Sequence, residues 1–159
     1  MNVSIKLGSY EEMLELWDGR YESFVDDYVR DIKLGNHEVL LMKDNETNRF
    51  IGEIHIVWDS GDKDQANGID TAYILSLELL PEYQGKKLSR LLIKQALIRI
   101  KEKGFHKATI GADDIEREKL NTIYQKWRFT KEIKRSSFEY EEQGQTVLCT
   151  YSLLLNDKL

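Results

Sequence analysis

The alternation of apolar and polar residues along the chain predicts seven strands and four helices. Val3, Ile5 and Leu7 alternate as in a half-buried strand, whereas leucine and isoleucine recur at helical spacing through residues 88–103, with Gly104 at the end. The predicted strands cover residues 2–7, 39–42, 50–58, 71–80, 107–112, 129–140 and 146–155. The first predicted helix follows Ser9, which together with Glu12 resembles a capping box. The other three predicted helices cover residues 20–34, 88–103 and 116–127.

The order of these elements predicts an α+β fold with a mixed sheet. Strand, helix, strand and helix follow one another over residues 71–127, which is typical of a parallel crossover, and the mostly apolar run 71–80 has the composition of a buried strand. The other strands read as hairpins. We therefore expect about seven strands flanked by about four helices, in a single domain that spans residues 1–159.

Composition and charge narrow the class of partner. The chain has 28 Asp and Glu against 23 Lys and Arg, a net charge of −5, which argues against a nucleic-acid-binding surface. The acids are concentrated early, because residues 1–70 hold 16 acids and 7 bases. The asymmetry is either chance variation in the solvated surface or a sign of two partners, an anion for the second half and a cation for the first.

Other sequence features exclude several classes of protein. The single cysteine cannot form an internal disulfide, and no Cys/His spacing is typical of a metal site, so no metal is expected. No apolar run approaches the roughly 20 residues that span a bilayer, and the start lacks the apolar core of a signal peptide. We expect a cytoplasmic protein without a membrane partner.

One segment has the pattern of an anion site. The run 74–80 leads into a turn with Gly85, Lys86 and Lys87 and then directly into a helix that carries Arg90. The first N–H groups of a helix lack partners and its dipole is positive there, so a phosphate fits this end. Two alternatives stay open, because every helix has such an end and the basic side chains are also explained by solvation. Neither GxGxxG nor GxxxxGK[ST] is present.

Two segments of the sequence resemble a known family. Leu77-Glu78-Leu79-Leu80-Pro81-Glu82-Tyr83-Gln84-Gly85-Lys86-Lys87-Leu88-Ser89 resembles the acyl-CoA signature of GNAT acetyltransferases, [Gln/Arg]-x-x-Gly-x-[Gly/Ala]. Residues 120–129 resemble the later Leu-Tyr-x-x-x-Gly-Phe segment of that family. The two segments lie 40 residues apart, from Gln84 to Tyr124, and the element order also agrees. The resemblance implies an N-acetyltransferase that uses acetyl-CoA as co-substrate.

The resemblance also implies where acetyl-CoA binds. The fourth strand is expected to diverge from the fifth, so that pantetheine bonds to backbone there and the pyrophosphate lies on the turn before the following helix. The N–H of Leu79 is expected to polarise the thioester carbonyl. The cofactor-binding residues implied in this way are Leu77, Glu78, Leu79, Gln84, Gly85, Lys86, Lys87, Leu88, Ser89, Arg90, Asn121 and Tyr124.

The resemblance places the catalytic groups less completely. Tyr124 occupies the position of the general acid that protonates the leaving thiolate, although it is also explained as a packed core tyrosine. An alkyl ammonium must lose a proton before it attacks, and Glu78 is the candidate base on the strand beside the thioester. Glu53 and His55, two residues apart on one strand face, are alternatives, as is a route through water.

The sequence departs from the family pattern at four positions. Lys87 and Arg128 each stand where the family has Gly, and Ser89 stands where it has Gly or Ala. Arg117 stands where the family often has Asn. We expect Lys87 to adopt an ordinary helical φ, so that binding survives. These departures leave open a non-catalytic acyl-CoA sensor. The acceptor is expected to be a small-molecule or peptide amine, more specifically a cation, and a homodimer is also left open.

Overall fold

A computed structural model describes residues 1–20, 24–113, 123–129, 131–140 and 144–155, with backbone alone for 112–113, 136–140 and 144–149. The strands are β1 (Val3–Gly8), β2 (His37–Asp44), β3 (Arg49–Val57), β4 (Thr71–Leu79), β5 (Lys107–Asp113), β6 (Lys131–Tyr140) and β7 (Gly144–Leu154). The helices are α1 (Tyr10–Trp17), α2 (Val25–Lys33) and α3 (Leu88–Glu102). Residues 123–126 are also helical, and Pro81–Tyr83 forms a short 3-10 turn.

The strands form one mixed sheet in the order β1-β2-β3-β4-β5-β7-β6. Only β4 and β5 are parallel, joined through α3, and every other neighbouring pair is antiparallel. The predicted mixed sheet of seven strands is therefore confirmed. The three bounded helices and the helical stretch 123–126 agree with the expected four.

The two faces of the sheet are covered by different helices. On one face, α3 packs Leu88, Leu92, Ala96 and Ile100 onto the central strands. On the other face, α1 and α2 cover a second, smaller apolar cluster. That cluster contains Met13, Leu16, Trp17, Val25, Val39, Leu41 and Phe50. Alternate residues of β2 and β3 therefore enter different cores, as the period of two in a strand requires.

The start of α1 agrees with the capping box in the sequence. The Glu12 backbone N–H donates to Ser9 Oγ at 3.1 Å, and the Ser9 N–H donates to Glu12 Oε1 at 3.1 Å. In α3 the periodic pattern also holds, except that Leu91 points outward with 43% of its surface exposed. The helix ends before Gly104, whose φ of +88° continues the chain in the left-handed region.

Strand β4 is regular in its first half and irregular in its second. Its pairing with β5 ends at Ile74 and Ile110, and its pairing with β3 contains a bulge at which Ser76 has a φ of +51°. Burial falls at the same point, because the residues after Ile74 are half-buried or exposed. The prediction of a buried strand over residues 71–80 is thus wrong for its second half, which loses β5 as a neighbour.

Candidate active site

A cleft opens where β4 and β5 diverge. Its volume is about 730 Å³, and its floor is the second half of β4, where the pairing with β5 has ended and only that with β3 continues. The opposite wall is formed by the end of β5 and the segment that contains the helical stretch 123–126. The predicted site residues among its described lining are Leu77, Glu78, Leu79, Gln84, Gly85, Ser89 and Tyr124. The divergence of β4 from β5 expected from the sequence is confirmed.

The backbone of β4 offers hydrogen-bonding groups to this cleft. The Leu80 N–H donates to the Ile51 carbonyl at 2.8 Å. Successive N–H groups of an antiparallel strand point to opposite edges, so the N–H of Leu79 faces away from β3 and toward the cleft. The Gln84 side chain donates from Nε2 to the Leu79 carbonyl at 3.0 Å, which ties the turn to the strand.

The turn into α3 leaves the N-terminus of the helix without a cap. Lys87 is the N-cap residue, and none of the described side chains accepts a hydrogen bond from the first turn, which contains no acid. Lys87 has a φ of +62°, so the expectation of an ordinary helical φ is wrong. The chain turns sharply from Gly85, itself at +76°, and needs the left-handed conformation twice before the helix begins. The Leu88 side chain is buried, so this residue can offer a ligand only its backbone.

A second cavity of about 630 Å³ lies beside the cleft and shares Trp127 with it. We call it the basic groove, because it is lined by Lys87, Arg90, Lys94, Lys126 and Arg128. None of these five cations forms an ion pair within the described part of the chain. The sequence analysis missed Lys94 and Lys126 as site residues. For Lys94 a signal existed, since positions 87, 90 and 94 share one helix face.

Tyr124 lies in the wall of the cleft opposite β4. Its hydroxyl donates to the Gly111 carbonyl at 2.8 Å, and the residue is only 6% exposed. The rings of Trp127, Phe129 and Tyr151 surround it at centroid distances of 5.9 to 6.3 Å. The residue therefore both borders the cleft and packs in the core. The predicted Asn121, and Arg117 with it, lie outside the described residues.

The opposite side of the cleft carries polar groups of β4 and Arg20, and Tyr28 of α2 lies beside them. The Glu78 side chain is half exposed, with Oε2 4.0 Å from Nη2 of Arg20. The Tyr28 hydroxyl lies 2.8 Å from Ser76 Oγ at the bulge. Burial raises the pKa of Tyr28 to about 12, and the Glu53 and Glu78 charges add to this against the opposing hydrogen bond from Ser76. The phenol therefore keeps its proton at neutral pH.

Glu53 and His55 share a face of β3, as predicted, and both are completely buried. Neither is among the described residues that line the cleft. Glu53 accepts a hydrogen bond from Trp17 Nε1, at 3.1 Å to each carboxylate oxygen, and His55 Nδ1 lies 2.6 Å from His37 Nε2. The sequence analysis missed His37. In the β2–β3 hairpin it is the diagonal neighbour of His55, because Val39 pairs with His55.

The described acids of α2 and of the loop between β3 and β4 lie away from the cleft. Asp27 and Asp31 on α2 form ion pairs with Arg30. The loop between β3 and β4 pairs Asp59 with Lys63, and Asp62 with Lys134. None of these acids is among the described residues that line the cleft. The net negative charge of the first half is thus mostly charge on the outer surface.

No helix in the described ranges is both long and apolar enough to cross a membrane. Within the same ranges, no group of three His, Cys, Asp or Glu residues is arranged to hold a metal ion.

The fold resembles several solved acetyltransferases. An N-acetyltransferase from Staphylococcus aureus Mu50 has a TM-score of 0.74 at 16% identity, with 98% of this chain and 100% of that chain covered. A GNAT family acetyltransferase from Elizabethkingia anophelis, solved with acetyl-CoA bound, has 0.69 at 18%, covering 97% and 99%. A dodecameric spermidine N-acetyltransferase from Vibrio cholerae has 0.71 at 19%, covering 99% and 98%.

The family assignment comes from the sequence itself. None of the curated proteins matches it significantly. The profile of the acetyltransferase (GNAT) family, however, matches residues 10–129, which is three quarters of the chain. The match contains both α helices that cover the second core, the diverging strand β4, the uncapped helix α3 and Tyr124. This chain belongs to the GNAT family of acetyltransferases.

Proposed function

We propose that the chain, as one domain over residues 1–159, transfers the acetyl group of acetyl-CoA directly to the primary amine of a cationic acceptor. The observation that carries this proposal is the continuity of the site. The unpaired edge of β4, the uncapped N-terminus of α3 and the basic groove adjoin one another. An acyl-pantetheine arm, a pyrophosphate and a phosphorylated nucleotide need these three environments in this order.

The co-substrate is held mainly by backbone. Pantetheine pairs with the cleft edge of β4 at Leu77 to Leu79, and the Leu79 N–H donates to the thioester oxygen as negative charge develops there. The pyrophosphate lies on the N–H groups that begin α3. Lys86, Lys87 and Arg90 add formal positive charge, and Ser89, which lines the cleft, adds a hydroxyl donor.

The chemistry requires two proton movements. Glu78 takes a proton from the acceptor ammonium, and the neutral amine then forms a bond to the thioester carbon. When the C–S bond breaks, the Tyr124 hydroxyl protonates the leaving thiolate and recovers a proton from the amide nitrogen through solvent. Glu78 lies on the α1 and α2 side of the cleft and Tyr124 on the β5 side, so acceptor and leaving group reach different groups.

A cationic acceptor is favoured by the two carboxylates beside the bulge. Glu78 lines the cleft, and Glu53, its cross-strand partner, carries a second carboxylate behind it. A negative site concentrates cations. One structural neighbour is a spermidine N-acetyltransferase, which makes spermidine a reasonable first probe.

The test combines binding and turnover. Acetyl-CoA at a hundredfold excess over its Kd should stabilise the folded chain by about 2.7 kcal/mol, seen as a higher Tm. Release of free CoA thiol should then depend on an added amine, in a panel of spermidine, an aminoglycoside, an amino acid and a peptide. Absence of a thermal shift at millimolar acetyl-CoA would contradict the proposed site.

The alternative is a sensor that binds acyl-CoA without turnover. It is favoured by the hydrogen bond of the Tyr124 hydroxyl to Gly111, which a merely structural tyrosine would also make. Thermal stabilisation by acetyl-CoA without thiol release for any amine of the panel would select this alternative. A homodimer is a separate proposal, which light scattering on the purified chain measures directly.

A further inference from the structure

A chain of buried polar groups crosses the core beneath α1 and α2. Trp17 Nε1 donates to both oxygens of Glu53 at 3.1 Å, and His55 Nε2 lies 3.1 Å from Glu53 Oε2. His55 Nδ1 in turn lies 2.6 Å from His37 Nε2. Glu53 and His55 are fully buried, and His37 is 2% exposed. These polar groups thus hold the Glu53 carboxylate within an otherwise apolar cluster.

The apolar surroundings of Glu53 do not favour a carboxylate. Glu53 pairs with Leu41 across the β2–β3 ladder and faces Trp17, and both neighbours belong to the apolar cluster under α1 and α2. A buried ion is costly even when it is well bonded, and replacing such groups by apolar residues is often neutral or stabilising. Buried charged groups beside a cleft are candidates for function.

The two histidines orient protons toward Glu53. Burial, together with His55, lowers the pKa of His37 to about 3, so His37 is neutral at physiological pH. If its Nε2–H donates to His55 Nδ1, the N–H that His55 can offer to Glu53 is the one on Nε2. The contact at 3.1 Å lacks the alignment of a good hydrogen bond, so His55 supplies mainly its dipole. The Trp17 N–H and the Nε2 edge of His55 then both face the Glu53 carboxylate.

The buried carboxylate lies next to the cleft through its strand partner. Glu53 pairs directly with Glu78 across the antiparallel β3–β4 ladder, so both side chains leave the same face of the sheet. Glu78 also faces Arg20, which follows α1, at 4.0 Å, and Tyr28 of α2 lies in the field of both carboxylates. On its own β4 the nearest hydroxyl is that of Ser76, and Tyr124 stands across the cleft.

We propose that Glu53 is a positioning residue whose fixed buried charge makes Glu78 a stronger proton acceptor for the acceptor ammonium. A carboxylate close to another carboxylate disfavours its ionised form and so increases its tendency to take a proton. In the step, an N–H bond of the ammonium breaks and an O–H bond forms on Glu78. Glu53 keeps its charge throughout. This inference rests on the proposed function, because it assigns the environment of the proposed base.

The first test does not depend on activity. The carboxyl carbon of Glu78, labelled with ¹³C and assigned with Glu78→Gln, is titrated by NMR in wild type and in Glu53→Gln. The glutamine still accepts from Trp17 but is neutral. We expect the Glu78 midpoint to fall by about one pH unit in Glu53→Gln. An unchanged or higher midpoint would overturn the proposal, whatever the protein catalyses.

The second test uses the pH profile of kcat/KM with the best amine of the panel. Its acidic limb should move to lower pH in Glu53→Gln and disappear in Glu78→Gln, while stabilisation by acetyl-CoA stays as in wild type. A limb that survives in Glu78→Gln and is lost in Glu53→Gln would make Glu53 itself the base and refute the positioning role. Failure of the proposed function is separate, since it shows as no thiol release in wild type.

A matched control and a second variant complete the design. Glu38→Gln removes another part-buried carboxylate, which Arg99 of α3 holds in a bidentate pair at 2.8 and 2.9 Å on the opposite face of the sheet. Glu38→Gln should move neither the Glu78 midpoint nor the acidic limb of the pH profile of kcat/KM. Glu53→Met, an uncharged side chain of similar volume, removes the same charge and should shift both in the same direction as Glu53→Gln. This variant tests the proposal even if Glu53→Gln folds poorly.

Discussion

At the scale of single residues, two positions where the GNAT pattern has glycine keep the glycine conformation without the glycine. Lys87 has a φ of +62° and Arg128 a φ of +70°. A side chain in the left-handed region costs about 1–2 kcal/mol relative to the ordinary one. Both residues line the basic groove, where positive charge favours an anion. The chain thus combines a strained backbone with two additional cations at its proposed nucleotide site.

We predict that Lys87→Gly unfolds with a free energy about 1 kcal/mol higher than Lys87→Ala. Both variants lose the same charge, but only alanine must keep the strained φ. In a chain of this size the difference corresponds to roughly 2–4 °C in Tm. The measurement is urea unfolding without ligand. An alanine variant as stable as the glycine variant would show that the turn relaxes and that φ is not constrained there.

Tyr124→Phe tests whether Tyr124 is the general acid or only a packed core residue. As the general acid, the hydroxyl contributes roughly 10²–10⁴ in rate, so kcat should fall by that factor with unchanged acetyl-CoA affinity. The Gly111 carbonyl also loses its donor, which should cost about 1 kcal/mol of stability. Steady-state kinetics and calorimetric titration measure the two effects. Wild-type turnover, with chemistry shown to be rate-limiting, would leave only the structural role.

At the scale of elements, most of the fold could be predicted because its elements are amphipathic in a simple way. In α3 the apolar positions follow the helical period, and Ser9 with Glu12 marks the start of α1. The second half of β4 could not be predicted in the same way. Its apolar residues are only half-buried because the pairing with β5 ends at Ile110, and divergence of two strands leaves no local pattern.

The row of buried polar groups beneath α1 and α2 also depends on contacts that a local sequence pattern does not reveal. His37 and His55 are 18 residues apart, and Tyr28 and Ser76 are 48 apart. The first pair follows once the register of the β2–β3 hairpin is known. The second pair needs the bulge in β4 and the position of α2 over the sheet, both of which are tertiary. Glu53 and His55 therefore looked like candidates for a base, although neither is among the described lining of the cleft.

The 3-10 turn before the proposed pyrophosphate site is tied to the β2–β3 hairpin. The Tyr83 hydroxyl donates to Asp44 Oδ2 at 2.7 Å, and this bond, helped by the Glu46 N–H, lowers the pKa of Asp44. A depressed pKa means that the stabilisation is present above the ordinary pKa of an aspartate, near 4, and is lost as the pH falls through the folded value. The bond thus links the geometry of the turn to pH.

We predict that Tyr83→Phe unfolds at lower urea than wild type at pH 7, and that the difference shrinks as the pH falls from about 5 to about 3. The phenylalanine keeps the buried ring but cannot donate to Asp44. Asp44→Asn should show the same loss of pH dependence, and the double variant should add little to either single variant. A difference between wild type and Tyr83→Phe that stays constant with pH would show that only packing has changed.

At the scale of the whole molecule, the two charge signs are separated in space but not in the way the sequence suggests. The described acids of the first 70 residues are mostly exposed, and several of those on α2 and in the loop after β3 are paired with bases. The cations of the second half converge on the basic groove, and none of the five there has an ion-pair partner in the described chain. The strong field of the molecule is therefore at the proposed acetyl-CoA site.

This distribution predicts different salt dependence for the two substrates. Exposed charges are screened within about 8–10 Å at physiological ionic strength, whereas buried ones are screened much less. From 20 mM to 500 mM NaCl, kcat/KM for acetyl-CoA should fall several-fold, because it meets solvent-exposed cations. For a cationic acceptor the fall should be smaller, since Glu53 is buried behind Glu78. Lys94→Gln with Lys126→Gln should flatten the acetyl-CoA dependence and leave that of the acceptor unchanged. If kcat/KM for the acceptor were instead the more salt-sensitive of the two, the electrostatic field that attracts substrate would lie on the acidic surface.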